Sequence, residues 1–579
     1  MDLVTRLSQA GVGRGDLAGL AVAPDGTVAV GLAEGGWTAS VGELAVADDT
    51  LRPRWVTWSQ ETAQRLVAAG VRPVMCWDVA AVHRLLFGGW RADPGWAWAH
   101  LHDLPLDQVP AAGPRPSGQA DLFDAAQEQE ARLGPAGSDG DERDPVGPDG
   151  QLRPEWVRGG WAGTPDRLVA WARLAKQAAQ SQLGRMPGAG GTGGIRVATA
   201  RSESTVELLC AELSADGLPM DAAAAARVLE KIIGPRPRGD AEAAAMRAAR
   251  DSEVLRHAPA GVTADLRSPV QVRTMLGAAG VDVPDTRAGR LEEFRDSHPL
   301  VAALLEWRKA ERIATTYGYG WLDEHLGPDG RFRGAWTGCD GAAGRMTASN
   351  GLHNMPAAMR RAVTAAPGHV FVRADLGQIE PRVLAAVSAD QALAAATSAD
   401  DLYLPVAAQL GVDRPTAKVA MIAAMYGQTT GHGGQAGRRM RAAYPVAMAY
   451  LDAADRSARA GRDLRTYGGR RVHMSGVPAD AARVAARGRY GRNAMIQGAA
   501  AELFKMWAVT VRARGLPLGA RIVLCLHDEL LVHVPDEHGE QTARLVGECL
   551  EETAARWAPG GRVRFIADIG IIRSWADAK

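Results

Sequence analysis

The sequence predicts a mixed α and β protein in which a small amino-terminal α/β domain precedes a much larger α+β unit. From about residue 204 to 579, alanine-rich helical patterns are interrupted by apolar strand-like runs at 369–375, 521–535 and 563–571. A chain of 579 residues with 46% hydrophobic residues can form several domains with buried cores. We therefore expect separate folded regions joined by linkers.

The amino-terminal domain is predicted over residues 1–110. Residues 17–32 have the pattern of two strands around an Asp-Gly turn, and residues 61–71 have that of a helix leading to a strand at 73–77. Strands that alternate with helices in this way are typical of α/β domains.

Two connecting segments follow. Residues 111–164 are rich in Gly, Pro and acidic residues, which predicts a disordered linker. Residues 165–203 begin with a helix capped by Thr164 and then contain the glycine-rich stretch 187–194, which predicts a flexible joint. The large unit at 204–579 completes the predicted organisation.

The overall composition excludes several classes of protein. The 66 basic and 66 acidic residues give a net charge of zero, which leaves a nucleic-acid partner open because phosphate affinity depends on where the basic residues lie. The chain has no run of 18 apolar residues and no signal pattern, so we expect a cytoplasmic protein that does not span a membrane. Five scattered cysteines without a CxxC pair argue against a disulfide framework or a structural zinc site.

Two of the apolar runs carry an aspartate. Asp375 ends the first run, and Asp528 lies inside the second, between His527 and Glu529. A carboxylate buried beside a sheet needs a partner or a metal. Two aspartates on neighbouring strands can hold two divalent cations about 3.5–4 Å apart, an arrangement suited to phosphoryl transfer. A hairpin turn capped by Asp528 is the simpler alternative.

The segment 413–428 predicts a helix with one distinctive face. Arg414, Lys418, Ile422 and Tyr426 recur at intervals of four residues and so share that face. Its functional interpretation is a helix that binds an anionic triphosphate through the two cations. The structural alternative is a solvated Arg and Lys above a core Ile and Tyr.

These three elements together resemble the DNA polymerase I family (family A). The resemblance is carried by RADLGQIEPRVLAAVS (373–388), DRPTAKVAMIAAMYG (413–427) and LHDEL (526–530), with further matching stretches at 213–221, 268–276, 298–317, 344–356, 466–471, 489–506 and 567–579. It implies a right-hand polymerase fold with a thumb at about 204–320, a palm at about 321–400 and 485–579, and fingers at about 401–484.

The resemblance also implies the roles of the site residues. Asp375 and Asp528 would bind two Mg²⁺ ions, for which Mn²⁺ can substitute, and Glu529 and Lys418 would be the other catalytic groups. The implied nucleotide-binding residues are Arg414, Lys418, Ile422, Tyr426, Glu380 and Gln378, and the implied DNA-binding residues are Arg345, Asn354, Arg489, Asn493, Gln497 and His527. The implied partners are primer-template DNA and deoxynucleoside triphosphates, bound by a monomer.

One implied contact sets sugar selectivity. Glu380 would hydrogen-bond Tyr426 and fill the space that a 2′-hydroxyl needs. The chain departs from the family pattern nearby, with Ile422 in place of an aromatic residue, Leu376-Gly377 in place of Tyr-Ser, and Pro381 in place of Leu. These departures leave the implied metal and phosphate ligands unchanged, but they affect the residues implied to select the base and sugar of the incoming nucleotide.

In this family the domain before the polymerase is usually a 3′→5′ exonuclease, whose first metal motif is a strand ending in Asp-x-Glu. No such motif follows an apolar strand before residue 110, and Asp78, His83 and Asp103 are its candidate remnants. We expect a degenerate, structural domain. A chain that is both a polymerase and an exonuclease is the alternative.

The predicted linker contains one apolar island, QADLF at 119–123. It is similar to the pentapeptide by which bacterial replication and repair proteins bind the sliding clamp, with Gln119, Leu122 and Phe123 as anchors. A disordered segment is where such a peptide is accessible. An incidental match is the structural alternative.

The sequence therefore predicts a template-directed, Mg-dependent DNA polymerase, nucleoid-associated and active in DNA repair or lesion bypass. A non-catalytic adaptor that keeps the fold and binds nucleic acid and the clamp is the alternative from another class. The retained Asp375, Asp528, Lys418 and Arg414 favour the enzyme.

Overall fold

The chain divides into two compact units. The computed structural model describes residues 1–110, 144–186, 192–427, 432–474, 476 and 480–578. The first unit comprises Met1–Gly217, Ala335–Ser349 and Pro367–Ile572, and the second comprises Leu218–Gly334, Asn350–Ala366 and Arg573–Lys579. The candidate catalytic aspartates both belong to the first unit.

The first unit contains two larger sheets and two short hairpins. Its strands are β1 (Leu17–Val22), β2 (Val28–Gly31), β3 (Gly36–Ala39), β4 (Arg54–Thr57), β5 (Cys76–Asp78), β8 (Trp336–Asp340), β9 (Arg345–Ala348), β10 (His369–Leu376), β11 (Leu464–Arg465), β12 (Arg471–Val472), β13 (Arg521–Leu526), β14 (Glu529–Pro535) and β15 (Ala567–Ile572). β6 (Leu218–Pro219) and β7 (Arg331–Phe332) pair in the second unit.

The amino-terminal sheet has the order β3-β2-β1-β4-β5. β1 pairs antiparallel with β2 across the predicted Asp-Gly turn and parallel with β4. The helix Gln60–Ala68, between β4 and β5, lies where the sequence predicts it. Trp55 and Trp77, from the two parallel strands β4 and β5, are buried in the domain core. This segment therefore folds as a sheet with helices, within the compact unit that also contains Pro367–Ile572.

The segment 144–164, assigned to the linker by its composition, is folded. Val146 bridges Leu152, and a short helix at Pro154–Val157 places Trp156 in the core against Trp171 with no exposed surface. The disordered-linker prediction is wrong for these residues, because burial of a few large apolar side chains outweighs the local Pro and Gly content. Residues 111–143, including Gln119, Leu122 and Phe123, lie outside the described residues.

Helices cover both sheets of the first unit. Their bounds are Leu3–Gln9, Val41–Leu51, Gln60–Ala68, Val79–Phe87, Pro94–Leu101, Pro154–Val157, Pro165–Gly184, Thr192–Asp216, Ile379–Ser388, Gln391–Ala396, Tyr403–Leu410, Arg414–Tyr426, His432–Ala443, Pro445–Arg459, Ala481–Gly515 and Gly539–Trp557. Short 3-10 helices connect several of them.

One helix joins the amino-terminal domain to the rest of the first unit. Thr192–Asp216 runs past the predicted boundary at residue 204 without a break. Its buried Glu203 accepts from Lys505 at 2.8 Å, and its Glu212 pairs with Arg512 at 2.7 Å, both on the long helix Ala481–Gly515. Charges with almost no exposed surface are stable only when paired in this way.

The second sheet has the order β13-β14-β10-β15 and is antiparallel between every neighbouring pair. Its strands are the three apolar runs that the sequence identifies, and 521–535 folds as the predicted hairpin. The interior residues of β13 and β14 are buried, as expected for a sheet covered by helices.

The second unit is mainly helical. Its helices are Ala222–Ile233, Asp240–Leu255, Pro269–Ala278, Ala288–Leu291, Pro299–Thr316, Tyr319–His325 and Ala357–Arg360. Leu300, Leu304 and Trp307 from one face of Pro299–Thr316 are buried with Met275 and Leu276. Across the described ranges of both units, none of the helices has the length and apolarity needed to cross a bilayer.

Candidate active site

Antiparallel pairing of β10 with the β13–β14 hairpin brings the two predicted aspartates together. Asp375 lies directly opposite Glu529 in the register, and the Leu376 amide donates to the Asp528 carbonyl at 2.9 Å. Asp528 therefore lies at the hairpin turn, beside the end of the strand that carries Asp375. The two strand runs are therefore neighbours in one sheet.

The two carboxylates lie in a partly buried, mutually repulsive environment. Burial, and then the charge of Asp528, raise the pKa of Asp375 to about 6. Burial also raises the pKa of Asp528, with Glu529 and Glu380 acting in the same direction. Like charges held together out of water favour a cation between them.

The hairpin turn consists of His527 and Asp528, between the paired residues Leu526 and Glu529. His527 has a φ of 48°, a conformation that residues other than glycine rarely adopt. Strained backbone of this kind is concentrated at functional sites. Burial and the nearby Arg345 lower the pKa of the His527 ring, which favours its neutral form.

A guanidinium group that the sequence analysis did not single out connects the carboxylates. Arg373 donates to Asp375 at 2.7 Å, to Glu529 at 2.9 Å and to Asp568 at 3.0 Å. Asp568 lies on β15, directly opposite Asp375. Arg373 is therefore a cation shared by three carboxylates of the site.

Hydrogen bonds connect this strand to the helix Arg414–Tyr426. The Gln378 side chain accepts from the Leu402 amide at 2.9 Å and donates to Asp401 at 3.4 Å, and Asp401 pairs with Arg414. Gln378, three positions after Asp375, thus connects the catalytic strand to the loop that carries Asp401. Its predicted contact with a nucleotide remains a prediction.

The helix Arg414–Tyr426 begins as the sequence predicts. Asp413 caps it by accepting from the Thr416 amide at 2.8 Å. Lys418 is exposed, and Ile422 and Tyr426 are half-buried on the same face. The opposite face supplies the buried residues of this helix, which are Ala417, Ala420, Met421, Ala423, Ala424 and Met425. The predicted face is therefore accessible, which disfavours the alternative of a core Ile and Tyr.

Glu380 has a different partner from the predicted one. Within the part of the chain that the structure describes, it accepts from Arg345 at 3.2 Å, and no hydrogen bond joins it to Tyr426. The predicted Glu380–Tyr426 contact is wrong in this structure. An ion pair with Arg345 compensates the charge of this half-buried carboxylate better than a neutral phenol does.

The long helix Ala481–Gly515 places three predicted DNA-binding residues on one face. Arg489, Asn493 and Gln497 recur every four residues, and all three are at least partly exposed. Their neighbour Arg492 donates to the Ala424 carbonyl at 2.8 Å, which attaches this helix to the helix that carries Lys418.

Asn354, another of the six predicted DNA-binding residues, belongs to the second unit, where it is exposed and its carbonyl accepts from Arg312 at 2.9 Å.

One departure from the family pattern has a structural cause. A Cβ atom at Gly377 would lie 2.8 Å from the Ile566 side chain, while the Gly377 amide donates to the Ile566 carbonyl at 2.9 Å. Any larger residue would require Ile566 to move. Pro381 lies in the first turn of the helix Ile379–Ser388, where proline is tolerated.

The candidate exonuclease remnants have structural partners in the amino-terminal domain. Asp78 caps the helix Val79–Phe87 by accepting from the Ala81 amide at 2.8 Å, and burial raises its pKa to about 7. His83 is buried and stacks on Phe87. Asp103 pairs with Arg185 at 2.9 Å.

The donor chemistry of Asp375 and Asp528 fits Mg²⁺. Mg²⁺ in nucleotide-dependent enzymes is bound by one or two carboxylates together with substrate phosphates, rather than by a cage made only of protein. Asp375 and Asp528 provide that pair. Among the described residues, no group of three or more His, Cys, Asp or Glu residues could hold a metal ion by itself.

A sheet that presents paired carboxylates beside a helix with exposed cations is an arrangement suited to phosphoryl transfer. Residues 241–577 match the family described as DNA polymerase family A. The chain belongs to this family. The predicted fold class, a mixed α and β polymerase fold, is confirmed by this match and by a likeness to a solved structure.

Relatives and a solved structure agree with this membership. The chain is 33% identical over 291 residues to DNA polymerase I of Chloroflexus aurantiacus, covering 45% of this chain and 31% of that protein. It is 29% identical over 327 residues to the thermostable DNA polymerase I of Thermus filiformis, covering 51% of this chain and 38% of that protein. The chain thus spans about a third of the length of these relatives.

The solved structure is the polymerase domain of Pol1 from M. smegmatis in complex with DNA primer-template and dNTP. The TM-score is 0.66 at 21% identity, over 100% of this chain and 98% of that one. At this level of identity the likeness describes the fold.

Proposed function

We propose that this protein is a template-directed DNA polymerase that adds deoxynucleotides to a primer 3′ end, in DNA repair or lesion bypass. The observation that carries the proposal is the convergence of Asp375 and Asp528 at the hairpin turn of the second sheet. The relatives named DNA polymerase I and the neighbour bound to primer-template and dNTP support the same activity.

The chain's own residues have distinct roles in this proposal. Lys418 and Arg414 bind the triphosphate from one helical face, Lys as a point charge and Arg as a planar donor fixed by Asp401. His527, beside Asp528, contacts the primer end. Arg489, Asn493 and Gln497 contact the DNA from the long helix, together with Arg345 and Asn354.

Asp375 and Asp528 would hold Mg²⁺, or Mn²⁺ in its place, and two such ions supply the positive charge that stabilises the attacking and leaving oxygens. Both carboxylates must be ionised to do so. Glu529, buried and bound to Arg373, positions the strand opposite Asp375. Ile422 and Tyr426, which are half-buried on the face that carries Lys418, form the surface beside the incoming base.

Variants of the two aspartates test this assignment. Asp375→Ala and Asp528→Ala should each abolish primer extension while duplex binding survives, because each removes a metal ligand and leaves the phosphate contacts. Asp536→Ala is a matched control, because it removes an exposed carboxylate just beyond the opposite end of β14. Extension by either site variant at more than a few per cent of wild type would contradict the assignment.

The amino-terminal domain is proposed to be structural rather than nucleolytic. Its candidate acidic residues are used for helix capping and ion pairing, as Asp78 and Asp103 illustrate. We further propose that Gln119, Leu122 and Phe123 bind a bacterial sliding clamp, and that the protein acts as a nucleoid-associated cytoplasmic monomer.

A further inference from the structure

Arg373 occupies an unusual position for a cation. It lies on β10 two residues before Asp375, so both side chains project from the same face of the strand. Its Nε, Nη1 and Nη2 atoms each bind a different carboxylate, those of Glu529, Asp568 and Asp375. Only 11% of the Arg373 side chain is exposed.

We propose that Arg373 is a built-in counter-ion that competes with the divalent metal for the carboxylates of this site. The inference rests on the proposed function, because it takes Asp375 as a metal ligand. In the metal-free protein the single guanidinium charge offsets part of the negative charge of Asp375, Glu529 and Asp568. For a metal ion to bind Asp375, the hydrogen bond between Arg373 and Asp375 must break.

The geometry explains why the two cations compete. The Arg373 nitrogen lies 2.7 Å from Oδ2 of Asp375, so a metal bound to that carboxylate would be close to a positive charge for as long as this contact is kept. At such distances, in a partly buried site, the repulsion between the two cations is large. The metal therefore binds more weakly than the carboxylates alone would allow.

The outer carboxylate provides an alternative position for the guanidinium. Asp568 is 79% exposed, whereas Glu529 is 11% exposed, so Asp568 marks the solvent side of the cluster. Arg373 can release Asp375 and keep its bonds to Glu529 and Asp568. Removing the Asp568 charge should therefore strengthen the hold of Arg373 on Asp375 and weaken metal binding further.

This arrangement predicts opposite effects for two neighbouring substitutions. Arg373→Gln removes the competing charge and should tighten metal binding, whereas Asp568→Asn should weaken it. A merely structural role for Arg373 predicts the reverse for the first variant, since a disordered site would bind metal less well. The sign of the change thus separates the two roles.

The experiment is a titration of the full chain with Mn²⁺ alone, followed by the electron paramagnetic resonance signal of free Mn²⁺, without DNA or nucleotide. The part of the Mn²⁺ binding that is lost in Asp375→Asn is assigned to the site that contains Asp375. Arg556→Gln is the charge control. It removes an arginine that forms an exposed ion pair with Glu552 within the helix Gly539–Trp557.

We expect the dissociation constant of the Asp375-dependent site to fall by about tenfold or more in Arg373→Gln and to rise severalfold in Asp568→Asn, with Arg556→Gln unchanged. Unchanged or weaker binding by Arg373→Gln would overturn the inference. If that variant does not fold, as judged by its thermal unfolding, tighter or equal binding by Asp568→Asn would overturn it. If Asp375→Asn binds Mn²⁺ as well as the wild type does, the proposed metal site itself is refuted.

Discussion

The buried Arg382 controls how rigidly the nucleotide-binding helix is held against the catalytic strand. Its guanidinium has no exposed surface and donates to the main-chain carbonyls of Gly377, Thr397, Ala399, Asp400 and Arg564. These carbonyls flank both Asp375 and the loop that carries Asp401, the partner of Arg414. We predict that Arg382→Met loosens this loop and weakens nucleotide binding.

The magnitude follows from the number of acceptors left without a donor. Each buried carbonyl that loses its hydrogen bond costs about 1–3 kcal/mol, and water that enters the space recovers part of this. For five carbonyls we expect a local loss of roughly 3–6 kcal/mol, a large share of a typical domain stability of about 5–15 kcal/mol. The loop at 397–401 should then open far more often than in the wild type.

Two measurements check this prediction. Hydrogen exchange should show strongly reduced protection at 398–402, and the nucleotide concentration for half-maximal extension should rise about tenfold or more, since small misplacements of binding groups have large kinetic effects. Arg564→Met is the matched control, because Arg564 contacts the same loop at Ser398 from an exposed position. Equal protection in Arg382→Met and the control would refute the reasoning.

Four further predictions address the site and its partners. Because burial and Asp528 raise the pKa of Asp375 to about 6, the Mn²⁺ affinity should fall as the pH drops through about 6, and an unchanged affinity at pH 5 would contradict this. By linkage, the same group stabilises the metal-free fold below its ordinary pKa of 3.8, and that stability is lost as the pH rises through about 6. Lys418→Ala should raise the nucleotide requirement and slow single-turnover incorporation, since it removes a charge that binds the triphosphate; identical kinetics would exclude that contact. Ile422→Phe should tighten nucleotide binding, since base stacking on an aromatic side chain contributes roughly 1–3 kcal/mol, and unchanged affinity would show that this face does not lie beside the base. Leu122→Ala combined with Phe123→Ala should abolish stimulation by a loaded clamp without changing extension on a short primer-template; equal stimulation of mutant and wild type would exclude this peptide as the tether.

Local signals were sufficient to predict the elements that carry the aspartates and the cationic helix. The strand that contains Asp375 and the two strands that flank Asp528 are apolar runs typical of a buried sheet. Asp413 with Pro415 defines a helix start. The four-residue spacing of Arg414 and Lys418 then places both on one face, independently of tertiary structure.

Contacts that depend on long-range register could not be predicted in this way. Arg373 meets Asp568 because β10 pairs with β15, and nothing local in either strand specifies that partner. Arg382 lies in a helical pattern where arginine is ordinarily exposed, and its burial depends on carbonyls up to 182 residues away. Composition predicts a linker around Trp156 because it averages over a segment, whereas packing is decided by single large side chains such as this buried Trp.

Single-nucleotide incorporation by the purified chain tests the central claim most directly. Four primer-templates that differ only in the first template base would each be supplied with one deoxynucleotide at a time and Mg²⁺, with Asp375→Ala as the inactive reference. The account predicts that only the complementary nucleotide is added efficiently on each template, that extension requires the metal, and that the reference adds none. Failure of the wild type to extend any primer, or addition that ignores the template base, would contradict it.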